Sequence, residues 1–109
     1  MRYTPLGAEE FSRLEGLDDW HYELGALHAT FRAGTFSAAA ALAAEIAQLA
    51  DAADHHPDMY LRYPDVLHIV LTTHVLGGTS THDVDLARLV SGLARQTGAR
   101  AEPHSAPSP

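Results

Sequence analysis

The chain has no cysteine, and its 7 basic residues include no lysine. The first absence removes disulfides, thiolate nucleophiles and zinc–thiolate sites; the second removes Schiff-base chemistry and the phosphate-binding lysine of a P-loop. Aromatic residues are scarce, 7% of 109, whereas 46% of the chain is hydrophobic and alanine supplies much of that, as in Ala38 to Ala41. Small side chains must therefore build the core, which depends on close packing. Positive charge is short as well. With 14 acids against 7 arginines and no basic run, a formal charge of -7 opposes a nucleic-acid backbone instead of neutralising it. No apolar run approaches membrane-spanning length, and Met1-Arg2-Tyr3-Thr4-Pro5 lacks the apolar centre of a signal peptide, so a soluble, cytoplasmic protein is expected. The length suits one domain with a modest core and leaves no room for a separate cofactor domain.

What is present is a set of short elements in mixed order. Ala8 to Leu17 spaces Phe11, Leu14 and Leu17 as a brief helix does, with Gly16 near its end. Trp20 to Leu24 and Leu27 to Arg32 alternate, the second placing Leu27, Ala29 and Phe31 on one face, and Gly25-Ala26 between them predicts a hairpin. Thr35 is placed to cap a long helix with the stripe Leu42, Ile46, Leu49, Ala53. Pro57 forces that helix to end at or before His56. Met59 to Tyr63 reads as a short strand and Leu67 to Thr73 as a clear one, with Leu67, Ile69 and Leu71 opposite His68, Val70 and Thr72. After a turn at Gly77-Gly78, a last helix opens at Ser80 and carries Leu86, Leu89, Val90 and Leu93. The order α-β-β-α-β-β-α predicts an α+β single domain over residues 1–97, a four-stranded antiparallel sheet covered by helices on one face. Residues 98–109, rich in Pro, Ser and Ala, read as a disordered tail.

Chemistry concentrates between residues 51 and 83. Asp51, His55-His56-Pro57, His74 and Asp83 put three histidines and two acids in one stretch. Where the long helix stops, its unpaired carbonyls favour an imidazolium by roughly 0.3 to 1 kcal/mol, which makes His55 or His56 a plausible proton donor. Asp51 lies four residues before His55, the spacing at which helical side chains meet, and is expected to fix that ring. His74, at the end of the clear strand, could approach as the complementary base. Each residue also has a plainer reading. His-His-Pro can simply terminate a helix, Ser80-x-x-Asp83 is the spacing of a capping box, and Tyr63 and Trp20 suit packing. His21, His28, His68, His82 and His104 are as readily solvent-facing or packed. A metal site from His55, His56 and His74 is disfavoured, because adjacent histidines diverge and the helical i, i+4 histidine pair is missing.

The ordered run Asp51-x-x-x-His55-His56-Pro57-x5-Tyr63, then Thr73-His74, Gly77-Gly78 and Asp83 with Leu86-Ala87, resembles the pterin-4a-carbinolamine dehydratase (4a-hydroxytetrahydrobiopterin dehydratase) family. Trp20, Phe31, Phe36 and the element order extend the likeness over about residues 6 to 95. Two departures stand out: ten residues separate Tyr63 from His74 where the family usually has nine, which places an added residue around Pro64-Asp65, and Thr79 replaces the usual leucine after the glycines. The resemblance implies a hydro-lyase that removes water from a 4a-hydroxytetrahydropterin to give the quinonoid dihydropterin, in recycling of the pterin after aromatic amino acid hydroxylation. It implies His55, His56 and His74 as the site, His56 and His74 as the acid-base pair with either in either role, His55 and Tyr63 contacting the pterin, and Asp51 and Asp83 supporting the rings. No metal or cofactor is implied, the pterin being substrate. A homodimer or homotetramer is expected, with an aromatic amino acid hydroxylase as a pathway partner. Relatives of this fold also serve as noncatalytic interaction or assembly modules, which keeps that alternative open.

Overall fold

The computed structural model describes residues 3–103, and the element order is α1 (Ala8–Ser12), β1 (His21–Glu23), β2 (Ala26–Arg32), α2 (Phe36–Ala53), β3 (Asp58–Arg62), β4 (Val66–Leu71), a 3-10 turn (His74–Leu76), α3 (Thr81–Thr97) and β5 (Arg100–Ala101). All strand pairings are antiparallel, in the order β1-β2-β4-β3, with β5 added to β2. The expected α+β domain is therefore present, with a fifth strand that the sequence did not announce.

Alternation fixes the inner face. Leu27, Ala29 and Phe31 of β2 stand opposite Leu71, Ile69 and Leu67 of β4, and all six are buried. Against them pack Ala39, Leu42, Ile46 and Ala50 of α2 and Val84, Leu86, Ala87, Val90 and Ala94 of α3. The stripe expected for the last helix is off by part of a turn: Leu89 faces outward and Leu93 is half-buried, while Ser91 is inside. Ser91 is there because Trp20, buried under β2, donates its indole N–H to Ser91 Oγ at 2.9 Å. Burial of a single leucine in such a core is worth roughly 1.5–3 kcal/mol. α2 is long and apolar enough, by length and composition, to cross a bilayer, contrary to the expectation that no run would be. Its alanines produce that value, and its buried stripe makes it a helix of this domain's core.

Caps explain the ends. Thr35 Oγ1 accepts from the Ala38 N–H at 3.0 Å and starts α2; Gly98, at φ 83°, ends α3. The hairpin turns on Leu24-Gly25 rather than Gly25-Ala26, both residues at positive φ as a two-residue turn requires. Leu24 accepts that strained backbone because the turn is tied down: Gly25 O accepts from Thr79 Oγ1 at 2.7 Å and Thr72 Oγ1 at 3.3 Å. Thr79 thus ties the hairpin to the segment that leads into α3. The connection at Pro64-Asp65 is tied down as well. Asp65, buried in the β3–β4 connection, accepts from Arg32 Nε at 2.7 Å and Gly34 N at 2.8 Å. The Arg32 guanidinium and then the Gly34 N–H hold the Asp65 carboxyl below its ordinary value.

The disordered tail expected from residue 98 is corrected over its first part. The sequence there looks too short and small to pack, yet Gly98 reverses the chain, and the chain runs back along β2 with Phe31 opposite Ala101 and Arg32 opposite Arg100. Glu102 N donates to Thr30 O at 2.7 Å, and Glu102 pairs with Arg32 at 3.0 Å. The rest of that tail, 104–109, lies outside the described residues.

Candidate active site

The site begins where α2 ends. Asp54 takes the left-handed conformation at φ 50°, its N–H bonded to Asp51 O, and the His55 N–H returns to Ala50 O at 3.1 Å. This is a Schellman closure, with aspartate in the place usually held by glycine. The sharp bend separates the two adjacent histidines. His55 turns inward and is buried, while His56 stays exposed. It also overturns the expected Asp51–His55 pair: past a left-handed residue helical spacing no longer applies, and Asp51 Oδ1 instead meets His56 Nε2 at 3.0 Å.

His55 finds its carboxylate on another element. Asp83, fully buried in the first turn of α3, has Oδ1 2.5 Å from His55 Nε2. Its other oxygen accepts from the Ser80 N–H at 2.9 Å and from Thr73 Oγ1 at 2.8 Å. A carboxylate only accepts, so His55 Nε2 carries a proton and Thr73 spends its hydroxyl hydrogen on Asp83. Ser80 Oγ, 2.6 Å from Thr73 Oγ1, must then be the donor to Thr73. Every hydrogen in this buried chain has one direction. The capping box at Ser80-x-x-Asp83 is present, and the same aspartate meets His55.

Thr73, so anchored, holds the start of the next segment. β4 stops at Leu71, earlier than expected, and His74 opens the 3-10 turn, closed by Gly77 at φ 64° and the Thr73 N–H to Gly78 O bond at 2.8 Å. His55, His56 and His74 thereby line one cavity of about 220 Å³, with Thr72, Thr73 and Tyr3 among its other walls. Its size suits a compact ring system. Tyr63 is not part of it. Just past the far end of β3, roughly 16 Å along the strand from Asp58 at 3.3 Å per residue, it is 88% exposed, so the structure does not bring it together with the three histidines. Among the described residues, no group of three or more His, Asp or Glu is arranged to hold a metal ion.

Two residues near the cavity escaped sequence reasoning. Tyr3 sits edge-on to His82 with ring centroids 4.7 Å apart and lies 6.1 Å from His55; His82 is 5.8 Å from His55. His82 Nδ1 is buried with no hydrogen-bond partner among the described residues. A signal for His82 existed, since it adjoins Asp83. None existed for Tyr3, which arrives through the pairing of distant segments.

A second histidine group occupies the uncovered face of the sheet. His21 and His28 are stacked cross-strand neighbours at 5.2 Å, and His28 Nδ1 lies 3.4 Å from His68 Nε2. Thr30 Oγ1 meets His68 Nδ1 at 2.7 Å. Burial, then the charges of His28, Arg62 and His21, pushes His68 below the usual imidazole value. His104 lies outside the described residues.

Comparison with known proteins agrees with this architecture. Residues 4–93 match the family model described as pterin 4 alpha carbinolamine dehydratase. A Streptomyces coelicolor protein provisionally named pterin-4-alpha-carbinolamine dehydratase is 40% identical over 101 residues, covering 91% of this chain and 99% of its own length. One of the same provisional name from Nocardia farcinica is 40% identical over 82 residues, covering 75% and 85%. The crystal structure of a transcriptional coactivator/pterin dehydratase from Brucella melitensis superposes with a TM-score of 0.76 at 28% identity, over 84% of this chain and 99% of that one. With the family model spanning most of the chain and the fold shared, this protein belongs to the pterin-4-alpha-carbinolamine dehydratase family.

Proposed function

We propose that the chain dehydrates a 4a-hydroxytetrahydropterin to the quinonoid dihydropterin, using its own histidines as acid and base. The observation that carries this reading is the meeting of His55, His56 and His74 around one small cavity, from a helix end and a strand end. The reaction breaks the bond between C4a and the hydroxyl oxygen. That oxygen takes a proton and leaves as water, while the neighbouring ring nitrogen gives up its proton and its N–H electrons form the new C=N bond. Both transfers need only groups that exchange protons near neutral pH.

In this scheme His56 delivers the proton to the leaving oxygen, with Asp51 as counter-charge at 3.0 Å. His74, which has no carboxylate on it among the described residues, receives the proton from the ring nitrogen. His55, held by Asp83, binds and orients the pterin at the base of the cavity. Two such groups, each worth roughly 100-fold to 10,000-fold, suffice to accelerate a dehydration that already proceeds in water. The physiological setting we propose is cytoplasmic pterin recycling beside an aromatic amino acid hydroxylase, by a homo-oligomer that covers the free edge of β3.

The test is the rate of dehydration of a freshly generated 4a-hydroxytetrahydropterin. His74→Ala, at an exposed position, should keep its melting temperature and lose about tenfold or more in rate. A folded variant with wild-type turnover would remove the mechanism. The coactivator description of the Brucella protein favours one second reading, a protein-interaction module; it takes first place if the wild-type chain neither accelerates the reaction nor binds a pterin.

A further inference from the structure

We infer that Tyr3 is a substrate-binding residue of this site, the aromatic wall against which the flat pterin ring lies. The inference rests on the pterin reading and adds a residue to it. Tyr3 is carried by a strap of backbone, not by a helix or strand of the core. Leu6 N donates to Thr79 O at 2.9 Å, Thr81 N donates to Thr4 O at 3.1 Å, and Pro5 bridges to Ser80. These bonds fasten the N-terminal segment to the same turn that presents Ser80 and Asp83, so the ring is set by the catalytic scaffold itself.

The ring is then positioned by its neighbours. His82 meets it edge-on at 4.7 Å and an interplanar angle of 66°, an arrangement that aromatic quadrupoles favour. Tyr3 remains part of the cavity wall beside His55 and His74. Among the described residues no hydrogen bond takes the Tyr3 hydroxyl, so what Tyr3 offers a ligand is its ring. Asp54, Val75, three histidines and two threonines form the rest of the cavity wall, and among these described lining residues Tyr3 supplies the benzene ring, a flat face against which a bicyclic heteroaromatic ring can lie. His82, whose contacts run through Tyr3 and His55, acts as a positioning residue for that wall.

The experiment compares wild type, Tyr3→Phe and Tyr3→Ala in the full-length chain. Steady-state dehydration kinetics are paired with calorimetric titration of 7,8-dihydrobiopterin, which has no 4a-hydroxyl to lose. Tyr3→Ala should raise both KM and the dihydrobiopterin Kd about three- to tenfold with kcat nearly unchanged, the range of one aromatic contact, and Tyr3→Phe should behave as wild type. Unchanged KM and Kd in Tyr3→Ala overturn the inference, as does a loss confined to kcat. If the wild-type chain binds dihydrobiopterin without catalysing dehydration, the dehydratase reading fails while the titration still decides Tyr3. If wild type neither binds nor turns over, both fall.

Discussion

The same residue type builds two groups in this small protein, and their surroundings separate them. Around the cavity, His55 and His56 each meet a carboxylate, Asp83 and Asp51, and sit at a helix end. On the open sheet face His21 meets Glu23 at the strand edge at 3.3 Å, while His28 and His68 meet each other and Thr30, with Arg62 near enough to His68 to disfavour a further positive charge. Burial and the neighbouring positive charges oppose a cation on His68. Histidines clustered in space are therefore not equivalent, and the partner chemistry, more than the number of rings, separates them.

The sharpest way to break that comparison is to remove the carboxylate from the first group. Asp83→Ala leaves Thr73, the Ser80 N–H and His55 without the acceptor they share in the buried interior. Each buried donor left without its acceptor costs about 1–3 kcal/mol, and each kcal/mol lowers the melting temperature of a domain this size by about 4–8 °C. A drop of more than about 12 °C is expected, with activity lost at temperatures where the variant is folded. A variant melting within a few degrees of wild type would show that the buried chain of hydrogen bonds matters little. Thr30→Val, the corresponding cut on the open face, should cost no more than about 1 kcal/mol, one ordinary hydrogen bond, and leave turnover alone.

The sequence made some of this legible and hid the rest for physical reasons. His55, His56 and His74 could be named because they cluster in one stretch and because Pro57 locates the helix end. Their partners could not be assigned. The left-handed conformation of Asp54 is a backbone choice that aspartate tolerates without demanding, and it redirects Asp51 from His55 to His56. Asp83 was seen as a cap, since capping is local; its bond to His55 crosses from α2 to α3 and needs the tertiary fold. The inner face of β2 and β4 was readable from alternation, whereas Leu89 was misplaced because α3 carries leucines on more than one face, Leu86 inside and Leu89 outside. Tyr63 drew attention by its position in a motif, yet β3 carries it away from the cavity. β5 was invisible because Arg100 and Ala101 carry no strand pattern and pair through the backbone.

That hidden strand gives the intermediate test. Glu102 N binds Thr30 O, the backbone of the residue whose hydroxyl holds His68, so β5 supports the open-face group from behind. Deleting residues 98–109 removes this bond, the Arg32–Glu102 pair and the cap on α3. A loss of roughly 1–2 kcal/mol, or about 4–16 °C in melting temperature, is expected from a C-cap and one or two hydrogen bonds, with turnover preserved. An unchanged melting temperature would mean that β5 adds nothing to stability; lost turnover would tie the open face to the cavity.

The smallest effect tests the open face itself, through pH. His68 titrates below its ordinary value of 6.5 in the folded chain, because burial and the charges of His28, Arg62 and His21 oppose its cation. Below about pH 6.5 the unfolded chain therefore binds a proton that the folded chain declines, and the unfolded state gains. Stability from this source is intact above 6.5 and is lost as the pH falls toward the folded value. His68→Gln removes the titrating group, so its melting temperature should decline less steeply than that of wild type between pH 7 and pH 5. Asp65, held below its ordinary carboxylate value of 3.8, contributes stability that disappears only at more acidic pH, outside that window. Parallel curves for wild type and His68→Gln would mean that His68 accepts its proton as easily folded as unfolded, and the contrast between the two histidine groups would then lose its electrostatic basis.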